Sequence, residues 1–239
     1  MRRLSGLRQE EGFTLVELLV VLFIGSIVMA GVAGLVQVVV RQSSGVVSKT
    51  DASQRGRLAM DQMTRALRSE VCLDLGSASA RPALEAADRN SVTFYTDFGD
   101  GSRPPVRRQL SFDATNRRIV EREFLATSAL RAVPTVFSTT PRTRVVLSNV
   151  TAPADGTDFF TFRRYTGTGR YDTDTVPVSG ATALSAADRA SVARITISMD
   201  VRPANARDAK VFTRLQDSVH IRNLSTAYSP TNPNALRCA

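Results

Sequence analysis

Residues 12–28 read GFTLVELLVVLFIGSIV, and they open an apolar run that continues to Val40. From Phe13 to Val40 there are 28 residues with one charge, Glu17, and between Leu18 and Val36 the only polar side chain is Ser26. A bilayer core about 30 Å thick needs roughly 20 helical residues, so this run is long enough to cross it. A secretory signal has a basic start, an apolar core of about 7 to 15 residues and a small-residue cleavage site beyond that core. The basic start is present as Arg2, Arg3 and Arg8. The apolar run is too long for such a signal, has no A-x-A exit, and is preceded by its polar-to-apolar switch at Gly12 and Phe13. A retained, single-pass helix is therefore expected, with the arginines holding the N-terminus in the cytoplasm and the C-terminal bulk outside.

The order glycine, aromatic residue, acid and long apolar helix resembles the class III leader of type IV pilins and type II secretion pseudopilins. The resemblance covers about thirty residues. It implies cleavage after Gly12 by a membrane prepilin peptidase and methylation of the new Phe13 amine. A glycine before the scissile bond makes steric sense, because it lets a protease approach the backbone closely. The implied partners are that peptidase, the other pilins or pseudopilins of a filament, the inner-membrane assembly platform and membrane lipid. The implied location is the cytoplasmic (inner) membrane, followed by an extracytoplasmic filament.

Glu17 is the residue that needs explaining. An acid at the bilayer centre costs roughly 2.5 to 3.5 kcal/mol, but Glu17 lies only about 6 Å of helix rise from Phe13. It either pairs with its own chain's amine or snorkels to the interface, or, as the family resemblance implies, it draws the Phe13 amine of a neighbouring subunit and sets the register of assembly. Ser26, Ala30 and Gly34 recur at spacing four, a pattern that lets helix backbones approach in lipid. Gly25, Gly31 and Gly34 stand where many major pilins carry a helix-breaking proline, so local softening of the helix is expected there.

After Arg41 the sequence QSSGVVSKTDAS (42–53) reads as a polar connection. Helical spacing returns from about Asp51 to Cys72, with Met60, Met63, Leu67 and Val71 on one face. If the two pieces are continuous they form one long helix. Beyond residue 73 the pattern is β: 91–98, 106–112, 117–124, 142–150, 158–165, 192–201 and 210–223 are strand candidates. DATN (113–116) supplies a turn, and SAADR (185–189) a short helical one. The expected fold is α+β and pilin-like, a long N-terminal hydrophobic helix packed on an antiparallel sheet. Its divisions are a cleaved leader (1–12), a transmembrane or filament-core helix (13–40), an amphipathic continuation (41–72) and a β-rich head (73–239). Within the head, FFTFRRYTGTGRY (159–171), ADRASVARITISMDVR (187–202) and LQDSVHIRNL (215–224) resemble the J-type pseudopilins and W-type minor pilins. That resemblance implies a subunit that joins other minor pilins near the filament tip and helps start assembly.

The net charge of +9 comes almost wholly from arginine, since Lys49 and Lys210 are the only lysines. A generally basic surface is one reading, and contact of the head with DNA or another anionic surface is the alternative. With no Trp and four scattered Tyr, a stacking platform for nucleic acid is not legible. Cys72 and Cys238 form either a disulfide or two free thiols. Closing so long a loop would stabilise by about 5 kcal/mol in the chain-entropy model.

No catalytic constellation is expected. DFG (97–99) lacks the glycine-rich and catalytic-loop context of a kinase. Asp172 and Asp174 in YDTDT lack the acidic loop that calcium needs, and His220, the single histidine, has no triad spacing. Neither a cofactor nor a metal is expected, and the chain reads as a structural subunit rather than an enzyme.

Overall fold

The computed structural model describes residues 14–71, 83–97, 104–128, 135–165, 173–175, 183–204 and 211–221. The chain divides into two compact units, Met1–Val47 and Ser48–Ala239.

One helix, α1, runs from Leu15 to Arg68. Its start is capped by Thr14, whose Oγ1 accepts the backbone N–H of Glu17 at 3.3 Å. Thr14-x-x-Glu17 has the spacing of a capping box, and Glu17 is the acid of the first turn, where the helix dipole favours negative charge. The last turn carries Arg65 and Arg68, which suit its negative end. The expected polar connection at 42–53 is instead helical throughout. No proline interrupts it, and a lone glycine such as Gly45 costs only about 1 kcal/mol in a helix. The Ser44 hydroxyl donates to the Arg41 carbonyl at 2.8 Å, and Asp51 and Arg55 pair one turn apart at 2.8 Å. The polar side chains are thus accommodated on the helix surface. Nor does α1 break at Gly25, Gly31 or Gly34.

From Ser48 onward the helix has a buried face: Ala52, Gly56, Ala59, Met60, Met63, Thr64, Ala66 and Leu67. The spacing of three and four places these residues on one stripe. Small side chains occupy its first half and large ones its second. At Gly56 the approach is closest, since a Cβ there would lie 2.5 Å from Leu215 Cδ1 and 3.0 Å from Val201 Cγ2.

The strands form two antiparallel sheets where the sequence suggested a single layer. The first is a meander of β1 (Leu84–Ala87), β2 (Ser91–Thr96), β3 (Val106–Asp113), β4 (Arg118–Leu125) and β5 (Arg142–Ser148), side by side in chain order. The second contains β6 (Val150–Thr151), β7 (Phe160–Tyr165), β8 (Thr173–Thr175), β9 (Arg194–Val201) and β10 (Thr213–His220). Its order is β10-β9-β7-β8, with β6 also pairing β9. A short helix α2 (Ala186–Ser191), capped by Ser185, precedes β9. The β3–β4 turn is the one expected at DATN. The Asp113 carboxylate accepts from the Asn116 backbone N–H (3.0 Å), Asn116 Nδ2 (2.7 Å) and Arg118 Nε (3.0 Å). These bonds, the Asn116 ones first, hold its carboxyl below the ordinary aspartate range.

One core joins the parts. It takes Met63 and Leu67 from α1, Phe94, Leu110 and Ile119 from the first sheet, and Phe160, Phe162, Ile195 and Ile197 from the second. Phe112 of β3 stacks on Phe159, just before β7, with ring centroids 4.9 Å apart, so an aromatic pair links the two sheets.

Candidate functional site

The N-terminal half of α1 is the most unusual surface of the chain. Leu15, Phe23, Met29 and Leu35 are each more than two-thirds exposed, and every described residue from Thr14 to Val46 is exposed as well. The helix is long and apolar enough to cross a membrane, and none of its most apolar stretch is buried against the rest of the chain. A continuous apolar surface of this size is stable only against lipid or other apolar helices. Polar groups within it are few and locally satisfied, as with Ser26, whose hydroxyl donates to the Phe23 carbonyl at 2.7 Å.

Among the residues singled out in the sequence, Glu17, Ser26, Ala30 and Gly34 all lie on this helix. Glu17 is exposed in the first turn, and its backbone N–H is held by Thr14. The glycines at 25, 31 and 34 have open space where a Cβ would stand, so nothing within the chain requires their smallness. Gly12, Phe13, Cys72 and Cys238 lie outside the described residues, as does Asp172. Asp174 is in β8, and His220 is exposed at the end of β10. Asp97 follows β2, where its backbone N–H donates to the Ser69 carbonyl at 3.2 Å.

The head buries two carboxylates that sequence reasoning did not single out. Glu121 on β4 is 2% exposed and is held by Arg108 Nη1 at 2.5 Å and by Arg144 Nε at 2.9 Å. Asp200 on β9 is 1% exposed. It accepts from Arg214 Nε (2.9 Å), Arg214 Nη2 (3.2 Å) and the Ala154 N–H (2.9 Å). Arg214 also pairs with Asp155, and the hydrogen bonds to Asp200 push its pKa further up. Such pairs pin strands and loops in place, because removing either partner strands a buried charge. The signal that could have found them is an acid on a strand with arginines one strand away, which becomes visible only once the pairing is known. Among the described residues no cluster of His, Cys, Asp and Glu is arranged to hold a metal.

Residues 7–33 match the model of the prokaryotic N-terminal methylation motif. No curated relative matches the chain. The matched segment runs from the leader into the exposed apolar half of α1, with Gly12, Phe13 and Glu17 inside it. That motif, on a long apolar helix that continues onto an antiparallel β head, makes the chain a type IV pilin-like protein with a class III prepilin leader.

Proposed function

We propose that the chain is a minor pilin or pseudopilin, a structural subunit that prepilin peptidase cuts after Gly12 and that is then methylated on the Phe13 amine. The observation that carries this reading is the coincidence of the methylation motif with an apolar helix that the chain leaves wholly exposed. Cutting before the apolar run retains it as a structural helix. The subunit waits in the inner membrane as a single pass, with its head on the outer side and residues 13–40 in lipid. It then moves into the filament, where neighbouring helices replace lipid. Because lipid tails are as apolar as leucine, that exchange has little hydrophobic cost, and close packing decides it. Ser26, Ala30 and Gly34 provide the small side chains at spacing four for such packing.

Glu17 supplies the register. A carboxylate in an apolar surround seeks a cation, and the Phe13 amine of an adjacent subunit offers one at the matching depth. The resemblance of 159–171, 187–202 and 215–224 to J-type pseudopilins and W-type minor pilins supports a place near the tip, where the subunit helps to start or cap assembly. The test is to express the chain with and without an active prepilin peptidase and to measure its N-terminal mass. The expected product begins at Phe13 and is heavier by one methyl group. An intact Met1 leader beside an active peptidase would sink the reading.

A further inference from the structure

The outward face of the second sheet carries side chains in cross-strand rows. Arg163 of β7 lies directly opposite Arg194 of β9, and Arg194 lies opposite His220 of β10. Two residues along, Thr161, Thr196 and Ser218 form a parallel row of hydroxyls. Residues directly opposite in an antiparallel pair have Cβ atoms about 4.5 to 5.5 Å apart, and like charges at such positions destabilise a sheet. The fold nevertheless sets two guanidiniums side by side here. Both arginines and the three hydroxyl residues line a groove of about 390 Å³, with Gln216 at its margin.

Arg163 is half-buried, and no carboxylate among the described residues pairs with its guanidinium. Asp217 is the one carboxylate lining the groove, and it accepts the Ser218 backbone N–H at 2.7 Å. Next in line on β9 is Ser198, opposite Gln216. It is 3% exposed, and its hydroxyl has no hydrogen-bond partner among the described residues. Buried hydroxyls are ordinarily satisfied, so a polar group left open at the floor of a polar groove indicates a place for a ligand.

We propose that this groove binds a small acidic saccharide, with its carboxylate on the Arg163–Arg194 row and its hydroxyls on the Thr161–Thr196–Ser218 row. An anion between the two guanidiniums removes their repulsion, and arginine's fork suits a carboxylate in two-point contact. A bare oxyanion would leave the hydroxyl row and Gln216 unused. Nucleic acid is the poorer match, since no aromatic ring lines the groove for a base to stack on. The volume lies within the range of small-ligand sites.

The proposal is independent of the assembly role, because it is tested on the dispersed chain. The full processed chain in detergent micelles is titrated with digalacturonate, with cellobiose and with inorganic phosphate. Digalacturonate should bind saturably and at least about tenfold more tightly than the other two. Arg163→Gln should weaken it by roughly tenfold or more, Arg163→Lys by less, and Thr161→Val by a few-fold. Arg57→Gln, on the exposed face of α1, should leave it unchanged. Circular dichroism of each variant checks folding, and if Arg163→Gln misfolds, the Arg163→Lys and Thr161→Val values decide. Absence of digalacturonate binding overturns the proposal. So does equal binding of cellobiose, which removes the charge row, or of phosphate, which leaves only an anion site. Undiminished binding by the Arg163 and Thr161 variants places the ligand elsewhere and overturns it too.

Discussion

Thr14 Oγ1 accepts the backbone N–H of Glu17, so the first turn of α1 is closed by the residue three positions before its only acid. Glu17 therefore has a local role in the capping pattern as well as the assembly role proposed for it. The two can be separated. Glu17→Gln keeps a residue suited to the capping box and removes the charge, whereas Glu17→Val removes both.

Both variants should insert into the membrane as well as the parent or better, because each removes a charge from an apolar helix. Both should fall out of the filament by about tenfold or more, read by immunoblot of sheared filaments against membranes. If Glu17→Gln assembles normally, the charge is dispensable and the residue acts through the helix start alone.

Gly56 is a steric requirement rather than a flexible point. Gly56→Val should destabilise the head by about 1 to 3 kcal/mol in urea unfolding, since the new side chain meets Leu215 and Val201. Gly45→Ala, where nothing lies within 4 Å of the added Cβ, should be neutral or stabilising by up to about 1 kcal/mol. Equal effects at the two positions would contradict the close helix-to-sheet approach.

The buried acids should matter far more than the surface ion pairs. Asp200→Asn and Glu121→Gln each leave arginine without its buried counter-charge, and a loss of about 3 to 5 kcal/mol is expected. Asp61→Asn disrupts the i,i+4 pair with Arg65, whose side chains are 53% and 74% exposed, and should cost no more than about 0.5 kcal/mol. Unfolding midpoints of the three variants measure the ranking directly.

The carboxyls of Asp113 and Asp155 are both depressed. For Asp113 the hydrogen bonds from Asn116 are the chief cause, and for Asp155 those from Thr157, with Arg214 adding to it. A depressed carboxyl contributes stability that is complete above its unfolded pKa of about 3.9 and is lost as pH falls through the lower folded value. Nuclear magnetic resonance titration should place both midpoints below that of a free aspartate. Asn116→Ala should move the Asp113 midpoint upward and leave that of Asp155 in place.

Much of this architecture was legible in the sequence, for identifiable reasons. The apolar half of α1 announces itself by 28 residues with a single charge. The long strands β2 to β5, β7, β9 and β10 lie within a few residues of the runs that suggested them, because β-branched and aromatic residues cluster there between turn residues. Strand β1 was missed, since its sequence LEAA is made of helix formers and is drawn into the sheet by pairing with β2. The helix at 42–53 was read as a connection because Ser, Gly and Thr usually signal one. Here flanking helix on both sides carries the segment through. The split into two sheets depends on long-range pairing such as Phe160 with Ile197, which no local pattern encodes. In the candidate site, Glu17 was legible by contrast with its surroundings, whereas Glu121, Asp200 and the facing arginines 163 and 194 required the strand register.

Strand β5 ends the first sheet, and its residues Arg142 to Val145 are exposed. An open strand edge is a template on which another chain can add, and the hazard grows when many identical domains are held at high local density. Arg142 and Arg144 put two cations on that border within three residues, and a second copy arriving there would bring the same pair against them. The rim of the head is thus guarded by like-charge repulsion, so that subunits whose helices are built to associate have heads that resist fusing into a common sheet.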